Sequence, residues 1–250
     1  MNWIYLSPHP DDVALSCGGL VWEQTHAGEM VSIWTICVGN PPDGPLSPFA
    51  EVLHARWGTG REAFERRRQE DIASCRALSA SYRHFSIPDC IYRLGQGVGE
   101  APEHLYASEQ ALFGPLHPAE ASLRQWISEE LAQALPLDAQ LVCPLTLGNH
   151  VDHQLTRLAA EDLERDLWFY ADYPYVQRQL DYGEQLTKDG WRSTSFLVSR
   201  EGMAAWLGSV AAHGSQFSTF WPNLEAAEHE IQGYCEKFGG ILLWQGKKDR

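Results

Sequence analysis

The stretch WIYLSPHPDDVALSCGGLVWEQTHAGEMVSIWTICV, residues 3–38, decides the fold. Trp3 to Leu6 is a short apolar run closed by Ser7, Pro8 and Pro10. From Asp12 to Ala27 the residues Ala14, Leu15, Gly18, Val21, Trp22 and Thr25 recur near helical spacing, and Gly28 is placed to cap the end. Val31 to Val38 is rich in β-branched and aromatic residues, as a buried strand is. Strand, helix and strand in one short stretch make a βαβ unit, with parallel strands and a right-handed crossover.

Outward from this unit the alternation continues. Gly39 to Gly60 is a Pro/Gly-rich loop, long enough to be functional. Phe64, Arg68, Ile72, Cys75 and Leu78 mark one stripe of a helix from Arg61 to Ala80, and Tyr82 to Ile87 is a third strand stopped by Pro88. Residues 89–118 show no period and read as an irregular insertion. Leu123, Trp126, Ile127 and Leu131 mark a further helix, Leu141 to Leu145 a fourth strand, Asp152 to Glu164 a helix and Leu167 to Ala171 a fifth strand. Beyond a Tyr-rich loop lie a strand at Ser195 to Ser199 and helices near 201–212 and 223–237. The expectation is a Rossmann-like α/β fold: an open, mostly parallel sheet, ordered 3-2-1-4-5 at its centre, with helices on both faces. One domain spans 1–250, with a core over 1–175 that carries the site and a segment over 176–250 that completes it. The Gly18-Gly19 pair reads as room for the first helix to lie close to the sheet. In such sheets ligands bind beyond the carboxyl ends of the strands where the order reverses, so the loops after Leu6 and Leu145 are the places to look.

Composition narrows the partners. Of 250 residues 44% are apolar and 21% charged, which is ordinary globular usage. Asp plus Glu (33) exceed Lys plus Arg (19), giving a net charge of −14 that disfavours nucleic acid and anionic membranes. Arg66, Arg67 and Arg68 form the one local basic cluster. The six cysteines include no C-x-x-C pair and read as buried free thiols of a reducing compartment. The amino terminus does not resemble a signal peptide, and no apolar run approaches the ~20 residues that cross a bilayer. A cytoplasmic protein without membrane insertion is expected; its oligomeric state is left open.

The two nominated loops hold Ser7-Pro8-His9-Pro10-Asp11-Asp12 and Gly148-Asn149-His150-Val151-Asp152-His153, which contain three of the ten histidines. An Asp-Asp pair before a helix is more often an N-cap, and a lone His-x-x-His is as often a surface pair. Found together at the switch point, they indicate a metal. His9 and Asp12 lie three apart in a proline-stiffened turn, and His153 supplies a third ligand from the neighbouring loop. Two imidazoles and a carboxylate suit catalytic Zn²⁺ with a position open for water. Asp11 is then the general base, His150 the second catalytic group, and Asp152 a partner that fixes an imidazole tautomer. Other chemistries lack their parts: there is no Asp-x-Asp after the first strand, no G-x-G-x-x-G after it, no P-loop and no G-x-S-x-G elbow.

His9-Pro10-Asp11-Asp12 followed by Cys17-Gly18-Gly19, with His150-Val151-Asp152-His153 later, resembles the LmbE-like (PIG-L) family of zinc-dependent N-acetylglucosaminyl deacetylases. Arg67-x-x-Glu70 with Leu78, Ile87-Pro88-Asp89 and Asp172-Tyr173-Pro174-Tyr175 extend the resemblance over residues 3–175. It implies one zinc per chain on His9, Asp12 and His153, with iron as the other candidate metal. It also implies Asp11 as base, His150 as the group that stabilises the transition state or protonates the amine, and Asp152 as the residue that orients His150. Arg67 and Asp89 correspond to positions that hold the sugar. Val13, Val151 and Ser79 depart from the pattern without removing a ligand or the base. The implied activity is removal of the N-acetyl group from an N-acetylglucosamine-type amino sugar by attack of metal-bound water. The alternatives are hydrolysis of a different amide, or a carbohydrate-binding protein without turnover. The loops 41–60 and 94–118, which would choose the substrate, match nothing assignable.

Overall fold

In the computed structural model, β1 (Asn2–Ser7) and β2 (Met30–Thr35) pair in parallel from Asn2 beside Met30 to Ser7 beside Thr35, with α1 (Asp12–His26) crossing between them. The structure describes residues 1–58, 60, 62–96, 102–179 and 181–246. After β2 come α2 (Pro48–Trp57), α3 (Ala63–Ala77) and β3 (Ser81–His84). A small hairpin, β4 (Leu94–Gln96) with β5 (Pro102–His104), and the short α4 (Glu109–Leu112) come next. The second half of the parallel core is α5 (Ala121–Ala134), β6 (Ala139–Pro144), α6 (Val151–Glu161) and β7 (Leu167–Tyr170). The chain continues through α7 (Tyr182–Lys188), β8 (Arg192–Phe196), α8 (Arg200–Ala212), α9 (Gly214–Phe220), α10 (Leu224–Phe238) and β9 (Ile241–Gln245).

The main sheet runs β3-β2-β1-β6-β7-β9-β8. Its first five strands are parallel and stand in the expected order, so β1 and β6 flank the switch point. The difference lies at one edge, where β9 and β8 add in antiparallel fashion. β9 is absent from the sequence reading, because its five residues come after a helix with only Gly239 and Gly240 between. β8 begins three residues before the expected strand; all but its last residue are exposed, so no apolar alternation marks it.

Two further expectations are corrected. The loop from Gly39 contains α2, which has full capping chemistry: Ser47 Oγ accepts from Ala50 N–H at 3.0 Å, Pro48 starts the first turn, and Gly58 closes it at φ +62°. The third strand ends at His84; beyond it only single bridges, Cys37 with Ser86 and Gly39 with Pro88, continue the pairing. Its helix, α3, is described from Glu62 on, and the expected start at Arg61 lies outside the described residues.

Gly18 and Gly19 do not serve the sheet. A Cβ on Gly18 would stand 2.5 Å from Trp206 Cδ1, and one on Gly19 2.7 Å from Trp206 Cε3. They seat α8 against α1, and Trp206 Nε1–H donates to the Ala14 carbonyl at 2.7 Å. The 176–250 segment thereby shares the apolar core of the sheet, through Trp206, Val210, Ile231 and Leu243 beside Leu6, Leu20 and Leu141. The six cysteines are free, and all but the half-buried Cys235 are buried. Among the described residues no helix is long and apolar enough to cross a membrane.

Candidate active site

Because β1 and β6 are neighbours, with Ile4 beside Leu141, the loops at their carboxyl ends form one wall. Asp11 stands at the N-cap position of α1 yet makes no capping bond. Ser7 Oγ takes that part instead, accepting from Val13 N–H at 3.2 Å. Asp11 is thereby released from capping the helix. Asp12 Oδ2 accepts the His9 main-chain N–H at 2.7 Å and lies 3.2 Å from His9 Nδ1 and 3.4 Å from His153 Nε2. Around a tetrahedral zinc with bonds of about 2.0–2.1 Å, neighbouring donor atoms stand roughly 3.3 Å apart. Asp12 Oδ2 therefore stands at ligand spacing from both His9 Nδ1 and His153 Nε2.

The far nitrogen of each imidazole meets a buried carboxylate, as metal-ligating histidines require. His9 Nε2 lies 3.0 Å from Asp152 Oδ2, and His153 Nδ1 lies 2.6 Å from Asp172 Oδ1. Burial opposes charge on His9, but Asp12 and Asp152 outweigh it and hold the imidazole well above its ordinary pKa. Burial likewise opposes charge on His153, and Asp12 together with Asp172 raises it to about 9. Asp12 is held well below the carboxylate range: burial works against it, and His153 and His9 prevail.

His150 differs. Burial, then the charge of His9, pushes its pKa well below the ordinary value. It caps α6, with Nδ1 accepting the Asp152 main-chain N–H at 3.2 Å. Its ring nitrogens approach those of His9 and His153, one from each lying within 4.8 Å of the others. The carboxylate of Asp152 bonds His9 and the Cys90 N–H (3.1 Å) rather than the His150 ring that the sequence pairs with it. On its other side Asp152 contacts Arg93, whose Nε lies 2.6 Å from Glu120 Oε1.

The three arginines of the basic cluster part company. Arg66 bonds Glu70, and Arg68 bonds the Val38 carbonyl, Asn40 and Glu65. Arg67, buried, donates to Asp11 Oδ1 at 3.1 Å. Asp89 caps a turn through the Ile91 N–H at 3.2 Å, while its Oδ2 stands 3.6 Å from His9 Nε2. His9, Asp11, Asp12, Arg67, Asp89, His150 and His153 all line one cavity of about 220 Å³.

Residues 4–163 match the model of the PIG-L family, described as GlcNAc-PI de-N-acetylase. The chain belongs to the PIG-L family. A 2'-N-acetylparomamine deacetylase of Streptomyces fradiae is 32% identical over 188 residues, 69% of this chain and 57% of that protein. The chain therefore spans little more than half the length of that relative. A 2'-N-acetylparomamine deacetylase of Niallia circulans is 28% identical over 209 residues, 76% of this chain and 72% of that protein. A crystal structure of the zinc inhibited form of teicoplanin deacetylase Orf2 superposes with a TM-score of 0.75 at 21% identity and covers 100% of both chains, a likeness of fold.

Three parts of this PIG-L site escape the motif reading. Asp172 enters it only within a similar-looking stretch; its signal is an acidic residue at the carboxyl end of an apolar strand, one strand from the switch. Arg93 and Glu120 sit in or beside the irregular insertion, where no period points inward. Gln216, Thr219 and Phe220 line the cavity from beyond residue 163, with no motif at all.

Proposed function

We propose that this PIG-L member is a metal-dependent hydrolase that removes the acetyl group from an N-acetylglucosamine-type amino sugar. The observation that carries this reading is Asp12 Oδ2 at ligand spacing from both His9 Nδ1 and His153 Nε2, with Asp11 beside them on the cavity wall. The names of the Streptomyces fradiae and Niallia circulans relatives support it. His9, Asp12 and His153 would hold the ion, with zinc favoured by the donor set. When bound, a divalent metal polarises the acetamide carbonyl and lowers the pKa of water.

Everything else falls to the chain. Arg67 fixes Asp11 Oδ1, leaving Oδ2 to take the proton of the attacking water. The His150 Nδ1 lone pair is occupied by the Asp152 N–H, so the neutral ring carries its proton on Nε2. That proton is a donor for the oxyanion that forms as water adds to the carbonyl carbon. A ring in this state cannot also protonate the departing nitrogen, since doing so would leave an imidazolate. The proton on Asp11 therefore passes to the amine as the C–N bond breaks, giving acetate and the free amino sugar. A protein that only bound carbohydrate would have no need of the Arg67–Asp11 pair.

A panel of N-acetylated amino sugars, assayed for amine and acetate in equal amounts, tests the reading. Release should cease after chelation and return with added zinc; full activity in metal-free protein would end it.

A further inference from the structure

Behind His9 one buried arginine joins two buried carboxylates. Arg93, Glu120 and Asp152 are all buried, and none of them lines the cavity. A helical turn over Cys90–Tyr92, capped by Asp89, delivers Arg93 to this place, with the Arg93 main-chain N–H donating to the Cys90 carbonyl at 3.1 Å. All three nitrogens of its guanidinium are engaged. Nη2 meets Asp152 Oδ1 and donates to Glu120 Oε2 at 3.2 Å, Nε lies 2.6 Å from Glu120 Oε1, and Nη1 donates to the Pro88 carbonyl at 3.4 Å. Glu120 is held in turn by the buried Tyr106, whose hydroxyl donates to Oε2 at 2.8 Å and accepts the His117 N–H at 2.9 Å. The guanidinium carbon stands 5.6 Å from the centroid of the Tyr106 ring. One chain of contacts thus runs from Tyr106 through Glu120, Arg93 and Asp152 to His9.

The direction of the Asp152 carboxylate decides what His9 can do. Two carboxylates face His9 Nε2, Asp152 Oδ2 at 3.0 Å and Asp89 Oδ2 at 3.6 Å. A carboxylate that accepts Nε2–H leaves the lone pair on Nδ1, the nitrogen that faces Asp12. Asp152 lies one residue from His153 and two from His150, so its neighbours in the chain do not turn it toward His9. Arg93 on Oδ1 and the Cys90 N–H on Oδ2, at 3.1 Å, fix it from outside. A planar guanidinium can hold two carboxylates in set directions, which the point charge of an ammonium cannot. An ion pair that served only to close the core would be complete with Arg93 and Glu120; here the fork is shared with the carboxylate on which the His9 ring leans.

Resting on the metal-binding part of the proposed function, we propose that Arg93 is a positioning residue for the metal centre: it sets the orientation of Asp152, and through it the nitrogen that His9 turns to the ion, while Glu120 and Tyr106 hold the arginine in place. The test is zinc affinity, measured on metal-free protein by competition with a chromophoric chelator, with no substrate present. Arg93→Met alone leaves two buried carboxylates without a counter-charge and could unfold the chain. The variant used is therefore Arg93→Met/Glu120→Gln, which removes one charge of each sign. It should bind zinc about 10–100-fold more weakly, whereas Glu120→Gln alone, which leaves the guanidinium on Asp152, should stay within about threefold of the wild type. Cobalt(II) bound in place of zinc should show altered visible bands in the double variant and wild-type bands in Glu120→Gln. Gly18→Ala, strained at the α1–α8 contact instead, should keep wild-type affinity, which separates positioning from loss of stability. Wild-type affinity in His9→Ala would remove His9 from the metal site and sink the reading on which the role of Arg93 rests. Weakened binding in His9→Ala beside wild-type affinity and wild-type cobalt bands in the double variant would overturn the role of Arg93 alone.

Discussion

At the residue scale, the two late-motif histidines carry the sharpest contrast. His153 presents Nε2 to Asp12 with Nδ1 anchored on Asp172, whereas His150 spends Nδ1 on a main-chain N–H. His153→Ala should therefore weaken metal affinity by at least the ~10–100-fold that loss of a ligand's supporting partner produces. His150→Ala should keep near-stoichiometric metal and lose kcat, because a donor to the oxyanion acts on the transition state. Metal titrations with steady-state kinetics on both variants separate them; equal metal loss would make His150 a ligand. Asp11→Asn keeps the shape of the side chain, so metal should remain while kcat falls by roughly 10²–10⁴. Loss of metal with an unchanged rate per bound ion would reverse the roles of Asp11 and Asp12. These motif residues are legible because proline stiffens one turn, a helix start fixes the other, and sheet order places both together. The partner of His9 is not legible: Asp152 is one residue from His153 and two from His150, and sequence distance favours those neighbours. Only the fold shows that its carboxylate turns toward His9, with Arg93 behind it.

Elements are legible in proportion to how much apolar surface they bury in a regular pattern. β1, β2 and β6 are largely buried along their length and read as apolar runs, as central parallel strands do. α2 is hidden by the prolines and glycines around it, which there include its capping residues. The contact of α1 with α8 offers a test of sign. Helix propensity alone gives Gly→Ala a gain of about 1 kcal/mol. At Gly18 the new methyl would stand 2.5 Å from Trp206, a ring that is buried and tied to Ala14, and overpacking costs about 1–3 kcal/mol. Gly18→Ala should therefore lower Tm by several degrees. A Tm at or above that of the wild type in Gly18→Ala would show that α8 yields, and that the glycine is not needed for this contact.

For the whole molecule, the site joins segments that only the finished sheet brings together. His9 and Asp12 come after β1, His153 begins α6 after β6, and Asp172 comes after β7. In the unfolded chain the first pair is separated from His153 by some 140 residues, so nothing holds the three proposed ligands together. An ion that needs all three binds the folded state alone, and its binding free energy adds to folding stability. At a free metal concentration a hundred times Kd that contribution is about 2.7 kcal/mol. For a chain of this length each kcal/mol moves Tm by about 2–4 °C, so zinc should raise it by roughly 5–10 °C. The donor set makes the prediction selective among variants. Asp11→Asn retains all three ligands and should keep the rise, whereas His153→Ala should lose most of it at the same zinc concentration. Thermal unfolding of the three proteins with zinc and with chelator measures this. A rise of equal size in His153→Ala would place the ion elsewhere, on the carboxylates or surface histidines, and would remove His153 from the metal site.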